Sequence, residues 1–178
     1  MSRSALVYWV LAILLGLAVI AGYAGTGKNG SRTIGPASLT GAPAQSFSVA
    51  SLSGATSSLQ AYRGHIVVMN LWASWCPPCR AEMPDLQRVW LAYKNRNVVV
   101  LGVNQGESPQ RARDFAQSLG IHFPVLVDQD QQYGRVYAAL GLPTTIIVDA
   151  HGTIVRGFDG ALTFEQVEAA IKPLLAHK

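Results

Sequence analysis

Charge is scarce in this chain. Only 13% of its 178 residues are Asp, Glu, Lys or Arg, and the fourteen cations form no block. Phosphate affinity needs clustered cations, so nucleic acid is not an expected partner. Cysteine is scarcer still. The two present, Cys76 and Cys79, exclude both a disulfide-stapled mini-fold and a four-cysteine zinc site. The four histidines, His65, His122, His151 and His177, show no paired ligand spacing, so no metal is expected, and no cofactor is expected beyond a redox-active Cys76–Cys79 disulfide. Against these shortages stands a hydrophobic share of 49%, too high for a disordered polyelectrolyte. The length allows one ordinary domain and an appendage.

The appendage is at the N-terminus. Residues 5–24 (ALVYWVLAILLGLAVIAGYA) hold no charge and no proline. As a helix they would cover ~30 Å, the hydrocarbon thickness of a bilayer. A soluble core helix would carry a polar stripe, and this run is apolar all round. It is longer than the ~7–15 residues of a signal h-region, so residues 1–24 read as a retained signal-anchor; the competing reading is a leader cleaved near Gly22-Tyr23-Ala24. Arg3 before the span and Lys28 and Arg32 after it leave the positive-inside count nearly even. A short tail ahead of a long domain favours a cytoplasmic N-terminus. Residues 25–44, rich in Gly, Ser, Thr, Ala and Pro, read as a flexible linker, and residues 45–178 as one domain.

Within that domain apolar β-branched runs alternate with helical patterns. Residues 47–50 and 57–59 flank Ser53-Gly54 as a hairpin, and 65–72 (HIVVMNLW) and 97–104 (NVVVLGVN) are buried strands. Residues 77–93 are helical, with Met83, Leu86, Trp90 and Tyr93 as the core stripe. Ser108-Pro109 opens a second helix that Gly120 closes. A strand over 124–128 and a helix over 131–140 follow, then a hairpin of 144–149 and 153–157. Thr163 with Gln166 forms a capping box for a last helix reaching Ala176. The expectation is an α/β fold, a mixed sheet with helices on both faces.

Cys76-Pro77-Pro78-Cys79 lies between a buried strand and a helix. At a helix N-terminus, free N–H groups and the helix dipole favour an anion, which suits Cys76 as an attacking thiolate. Cys79, one turn on, is the shielded sulfur that resolves a mixed disulfide. A zinc site would need two more ligands, and a structural disulfide across two residues closes too small a loop to stabilise much. Redox chemistry is the reading that remains.

The block 64–84 (GHIVVMNLWASWCPPCRAEMP) closely resembles membrane-anchored thioredoxin-like thiol–disulfide oxidoreductases of the TlpA/ResA type, relatives of the AhpC/TSA group. The resemblance resumes at 140–152 (LGLPTTIIVDAHG) and covers most of residues 45–178. It implies a thioredoxin fold with an N-terminal hairpin and an inserted β–α element. It further implies a cis-proline at Pro143 beside the cysteines, with Trp75, Pro77 and Leu142 bordering the docked client strand. Asn70 stands where thioredoxin has a buried aspartate. Glu82, three residues beyond Cys79, supplies a carboxyl instead; buried, it would have a raised pKa and move the Cys79 proton, whereas on a solvated helix face it would do nothing. His65 and Leu71 replace a common lysine and phenylalanine of the family.

Direction of electron flow is also readable. Pro77 and Pro78 bear no N–H, which leaves only that of Cys79 to steady a Cys76 thiolate. A less stabilised thiolate makes a better reductant. The resemblance implies an extracytoplasmic reductase at the bacterial cytoplasmic membrane, supplied by a transmembrane thiol electron donor and acting on client disulfides, apocytochrome c among them. A peroxidase of the peroxiredoxin group would need Pro-x-x-x-Thr-x-x-Cys, which is missing. A non-catalytic client-binding module is the other rival.

Overall fold

The computed structural model describes residues 35–176. The expected anchor of residues 1–24 and the first ten residues of the expected linker lie outside them. Among the described residues no helix is long and apolar enough to cross a membrane.

Seven strands form one sheet in the order β2-β1-β5-β4-β3-β6-β7. At its centre β3 (Ile66–Trp72) is buried at every position. It runs parallel to β4 (Val98–Gln105) and antiparallel to β6 (Thr144–Val148). Coverage on both faces is why β3 reads as a continuous apolar run rather than an alternation. Beyond β4 lie β5 (Val125–Asp128) and the short hairpin β1 (Val49–Ser51) and β2 (Thr56–Ser57). Beyond β6 lies β7 (Ile154–Asp159).

Helices α1 (Pro77–Tyr93), α2 (Pro109–Ser118) and α4 (Phe164–Leu175) pack on one face, burying Met83, Leu86, Val89, Phe115, Val167 and Ile171 against Val68 and Val100. The short α3 (Gln132–Val136) covers the other, where Tyr133 and Tyr137 meet Met69, Leu101 and Ile146. Between β4 and β6 stand α2, β5 and α3, the stretch in which the extra β–α element is expected. The α4 capping box is present, with Thr163 and Gln166 satisfying each other's N–H groups.

Four expectations change. The linker expected over 25–44 ends earlier, because from Gly35 the chain docks. Pro36–Leu39 forms a 3-10 turn against β7, and a Cβ on Gly157 would overlap the Pro36 backbone. Gly41 N–H donates to the Ile154 carbonyl at 2.8 Å, Ile154 N–H to Ala42 at 2.9 Å, and Ala44 N–H to Gly152 at 2.8 Å. The helix expected over 131–140 stops at Val136, since Ala138 takes a left-handed φ of 51° and turns the chain toward Pro143. The second arm of the first hairpin ends at Ser57, because Leu59–Tyr62 coils into a 3-10 turn. In the α1 stripe Val89 is buried and Trp90 is half-exposed, with the Lys94 ammonium 4.6 Å from its ring centre.

Candidate active site

The site lies where β3 ends and α1 begins. Cys76 is the N-cap of α1, with Pro77 and Pro78 in its first turn, where a missing N–H costs nothing. Cys76 and Cys79 are joined in a disulfide with Cα atoms 5.3 Å apart. The one side-chain cap bond runs from the Cys79 N–H to Cys76 Sγ, 3.2 Å. The proline pair therefore leaves Cys76 with the single N–H donor that its sequence predicts. Cys76 is 3% exposed and Cys79 0%. The expected contrast of an exposed Cys76 with a shielded Cys79 is not seen: both are buried, and Cys76 is packed in the apolar cluster that Leu142 borders.

The other residues converge on this point. The Leu142–Pro143 peptide is cis, Pro143 is buried, and its carbonyl accepts from Gly160 N–H at 2.9 Å. Leu71 pairs with Thr144 across β3 and β6, which brings the proline loop to the cysteine end of the sheet. Trp75 is 66% exposed and shares with Leu142 a cleft of about 360 Å³ that Gln105, Gly106, Gly134 and Arg135 also line. Pro77 is exposed at the helix start. Neither cysteine lines this cleft; Trp75 joins it to Cys76 along the chain.

Glu82 is buried one turn below Cys79. Its Oε1 accepts from Asn70 Nδ2 at 2.8 Å and its Oε2 from Leu162 N–H at 3.1 Å. Burial pushes the carboxyl up to about 7, although both hydrogen bonds pull it down. It is thus poised to exchange a proton at neutral pH, and the solvated-surface alternative fails. Asn70 Nδ2 also contacts Thr145 Oγ1 at 3.0 Å, tying Glu82 through β3 to β6.

A second carboxylate escaped the sequence reading. Glu107, in the turn between β4 and α2, accepts from Ser74 N–H at 2.7 Å, Ser74 Oγ at 2.6 Å and Asn104 Nδ2 at 2.7 Å, with Arg111 Nε 3.5 Å away. Burial alone would raise its pKa, but the Ser74 and Asn104 bonds and the Arg111 charge outweigh burial and hold it below the ordinary value. One signal was available: Glu107 is the only acidic residue between Asp85 and Asp114, and it sits at the end of an apolar strand.

Comparisons with known proteins agree with this geometry. Residues 40–156 match the model of the AhpC/TSA family. The thiol-disulfide oxidoreductase ResA of Geobacillus kaustophilus is 35% identical over 136 residues, 75% of this chain and 78% of that one. ResA of Bacillus subtilis is 32% identical over 69% of each chain. Among solved structures, a DsbE-type thiol:disulfide interchange protein of Chlorobium tepidum superposes with a TM-score of 0.72 at 28% identity, over 76% of this chain and 97% of that one. StoA of Bacillus subtilis gives 0.62 at 26% identity, over 70% and 95%.

Proposed function

Since the chain belongs to the AhpC/TSA family and is a ResA-type thiol–disulfide oxidoreductase, we propose that it reduces disulfides of client proteins outside the cytoplasm, held at a bacterial cytoplasmic membrane by residues 1–24. The observation that carries the reading is Glu82, buried one turn from Cys79 and held by Asn70 and Leu162, where burial raises its pKa to about 7. Cys76 thiolate attacks one client sulfur, and the other client sulfur leaves as a thiolate. Glu82 carboxylate takes the Cys79 proton. Cys79 then attacks Cys76 Sγ, the second client thiolate departs, and the Cys76–Cys79 disulfide is left. The client gains two electrons, and a transmembrane dithiol donor restores the reduced pair. Loss of two N–H donors at Pro77 and Pro78 biases the couple toward the reducing end of this fold's range.

In the cleft lined by Trp75 and Leu142, the client strand lies beside Pro143 and the first turn at Pro77. Clients are disulfide-bearing envelope proteins, an apocytochrome c among them. The test is a Cys79→Ser chain expressed in cells. A reductase accumulates mixed disulfides through Cys76 that dithiothreitol releases. Absence of adducts favours a non-catalytic binder, and peroxide consumption by the intact protein favours a peroxidase.

A further inference from the structure

The redox turn is fastened from below by a group that takes no part in the exchange steps. Residues 73–76 form a tight turn in which Cys76 N–H donates to the Ala73 carbonyl at 3.2 Å. Ser74, inside that turn, gives both its N–H and its hydroxyl to the two oxygens of Glu107. The carboxylate is itself oriented by Asn104 and backed by Arg111. A bidentate, charge-assisted clamp of this kind is among the stronger arrangements open to a buried carboxylate.

We propose that Glu107 is a positioning residue for the redox pair: its carboxylate holds the turn that presents Cys76, and its charge disfavours a thiolate there. The role deepens the reductase reading and rests on it for its direction.

Other charged groups surround Cys76. Arg80 is on its own helix, its guanidinium over the Phe115 ring at 4.8 Å. Glu82 lies below Cys79. Arg111 projects from α2, Arg135 lines the Trp75 cleft, and Asp159 on β7 is exposed. Asp128, at the end of β5, is engaged by the N–H groups of Gln132 and Tyr133 and by Gln105. Among the described residues, Glu107 is the charge bonded to the turn itself. Ser74 is two residues from Cys76, which puts the carboxylate within ~10 Å of the sulfur. A like charge at that distance, in partly buried surroundings, opposes a second anion. The consequence is a stronger reductant, because a costly thiolate weakens the reduced form.

The test uses the full chain in bilayer nanodiscs. The pH midpoint of iodoacetamide alkylation is measured at Cys76 in a Cys79→Ser background, and the equilibrium with glutathione is measured with both cysteines present. Glu107→Gln keeps the shape of the clamp and removes its charge. Its alkylation midpoint is expected to fall, giving a roughly three- to tenfold faster reaction below the midpoint, and the glutathione equilibrium to move by a similar factor toward the dithiol. Arg111→Ala strips the exposed counter-ion and leaves the clamp intact; its midpoint is expected to rise. An unchanged midpoint in Glu107→Gln, or a shift of the same sign in both variants, overturns the proposal, because a merely structural role would not reverse with the sign of the charge removed. These midpoints are read without any client. Failure of the reductase reading in the trapping experiment would leave them in place, so the two failures are distinguishable.

Discussion

Two carboxylates lie buried on the same side of the sheet near one disulfide, and they ionise in opposite senses. Glu82 is 2% exposed and Glu107 7%. Burial pushes both upward. Glu82 meets two neutral donors and no cation, and settles near 7. Glu107 meets three donated bonds and the Arg111 guanidinium, and stays below the ordinary value. Depth alone therefore does not decide the ionisation; donor count and a counter-ion weigh with it. The difference leaves one carboxyl ionising near neutrality and the other held as an anion.

Three experiments probe that contrast, from the largest effect to the smallest. Glu82→Gln keeps the shape and removes the proton site, so resolution of the mixed disulfide by Cys79 should slow by on the order of a hundredfold. The rate should also lose its inflection near pH 7. Stopped-flow release of a model thiol client reads both; an unchanged inflection would assign it to another group.

Stability shows the same group from another side. The folded pKa of Glu82 is raised from 4.5 to about 7, so the folded state keeps its proton longer than the unfolded chain does. Stability should be full below pH 4.5 and decline as pH rises to 7, by roughly 3 kcal/mol in all. Urea unfolding of Glu82→Gln should lack that decline. Glu107, with its lowered pKa, has the reverse sense: its contribution is present above the unfolded value and lost as pH falls through the folded one.

The smallest effect is at the donors. Asn70→Ala removes the 2.8 Å bond that pulls Glu82 down, and the inflection should climb by roughly a unit. Ser74→Ala removes one of the Glu107 bonds at a cost of about 1–2 kcal/mol, with no movement of the Glu82 inflection. Coupled movement of both groups in either variant would show that the two carboxylates are not independent.

The chain sequence carried most of the fold and the centre of the site. The 77–93 helix has the expected bounds because prolines at its first turn and a three-four apolar spacing both mark it. The cysteine pair declared itself through motif and spacing, Glu82 through its spacing from Cys79 together with the family resemblance, and Pro143 through the resemblance alone. Glu107 did not. Its partner Ser74 is 33 positions away, and only the parallel pairing of β3 with β4 brings Trp72 beside Asn104 and closes that gap. Such long-range pairings have no local period to betray them. The shortened α3 was hidden for a related reason: Ala138 takes its left-handed turn to meet the proline loop, a demand of the tertiary structure against an otherwise acceptable helix pattern.

The docked segment ahead of Gln45 has a bearing on solubility. β7 is the last strand of the sheet, and its outer N–H and C=O groups would otherwise template pairing with another molecule. At its first residue Ile154 spends both of its own on Gly41 and Ala42, and in the turn ahead of the strand the Gly152 carbonyl accepts from Ala44. At the far side the sheet closes on β2, only two residues long and too short to recruit a neighbour. A chain cut back to Gln45 would keep every redox residue and uncover a β edge beside a half-exposed Val155 and Phe158. The segment that reads as spacer is, at its C-terminal half, part of the cover on the β7 edge.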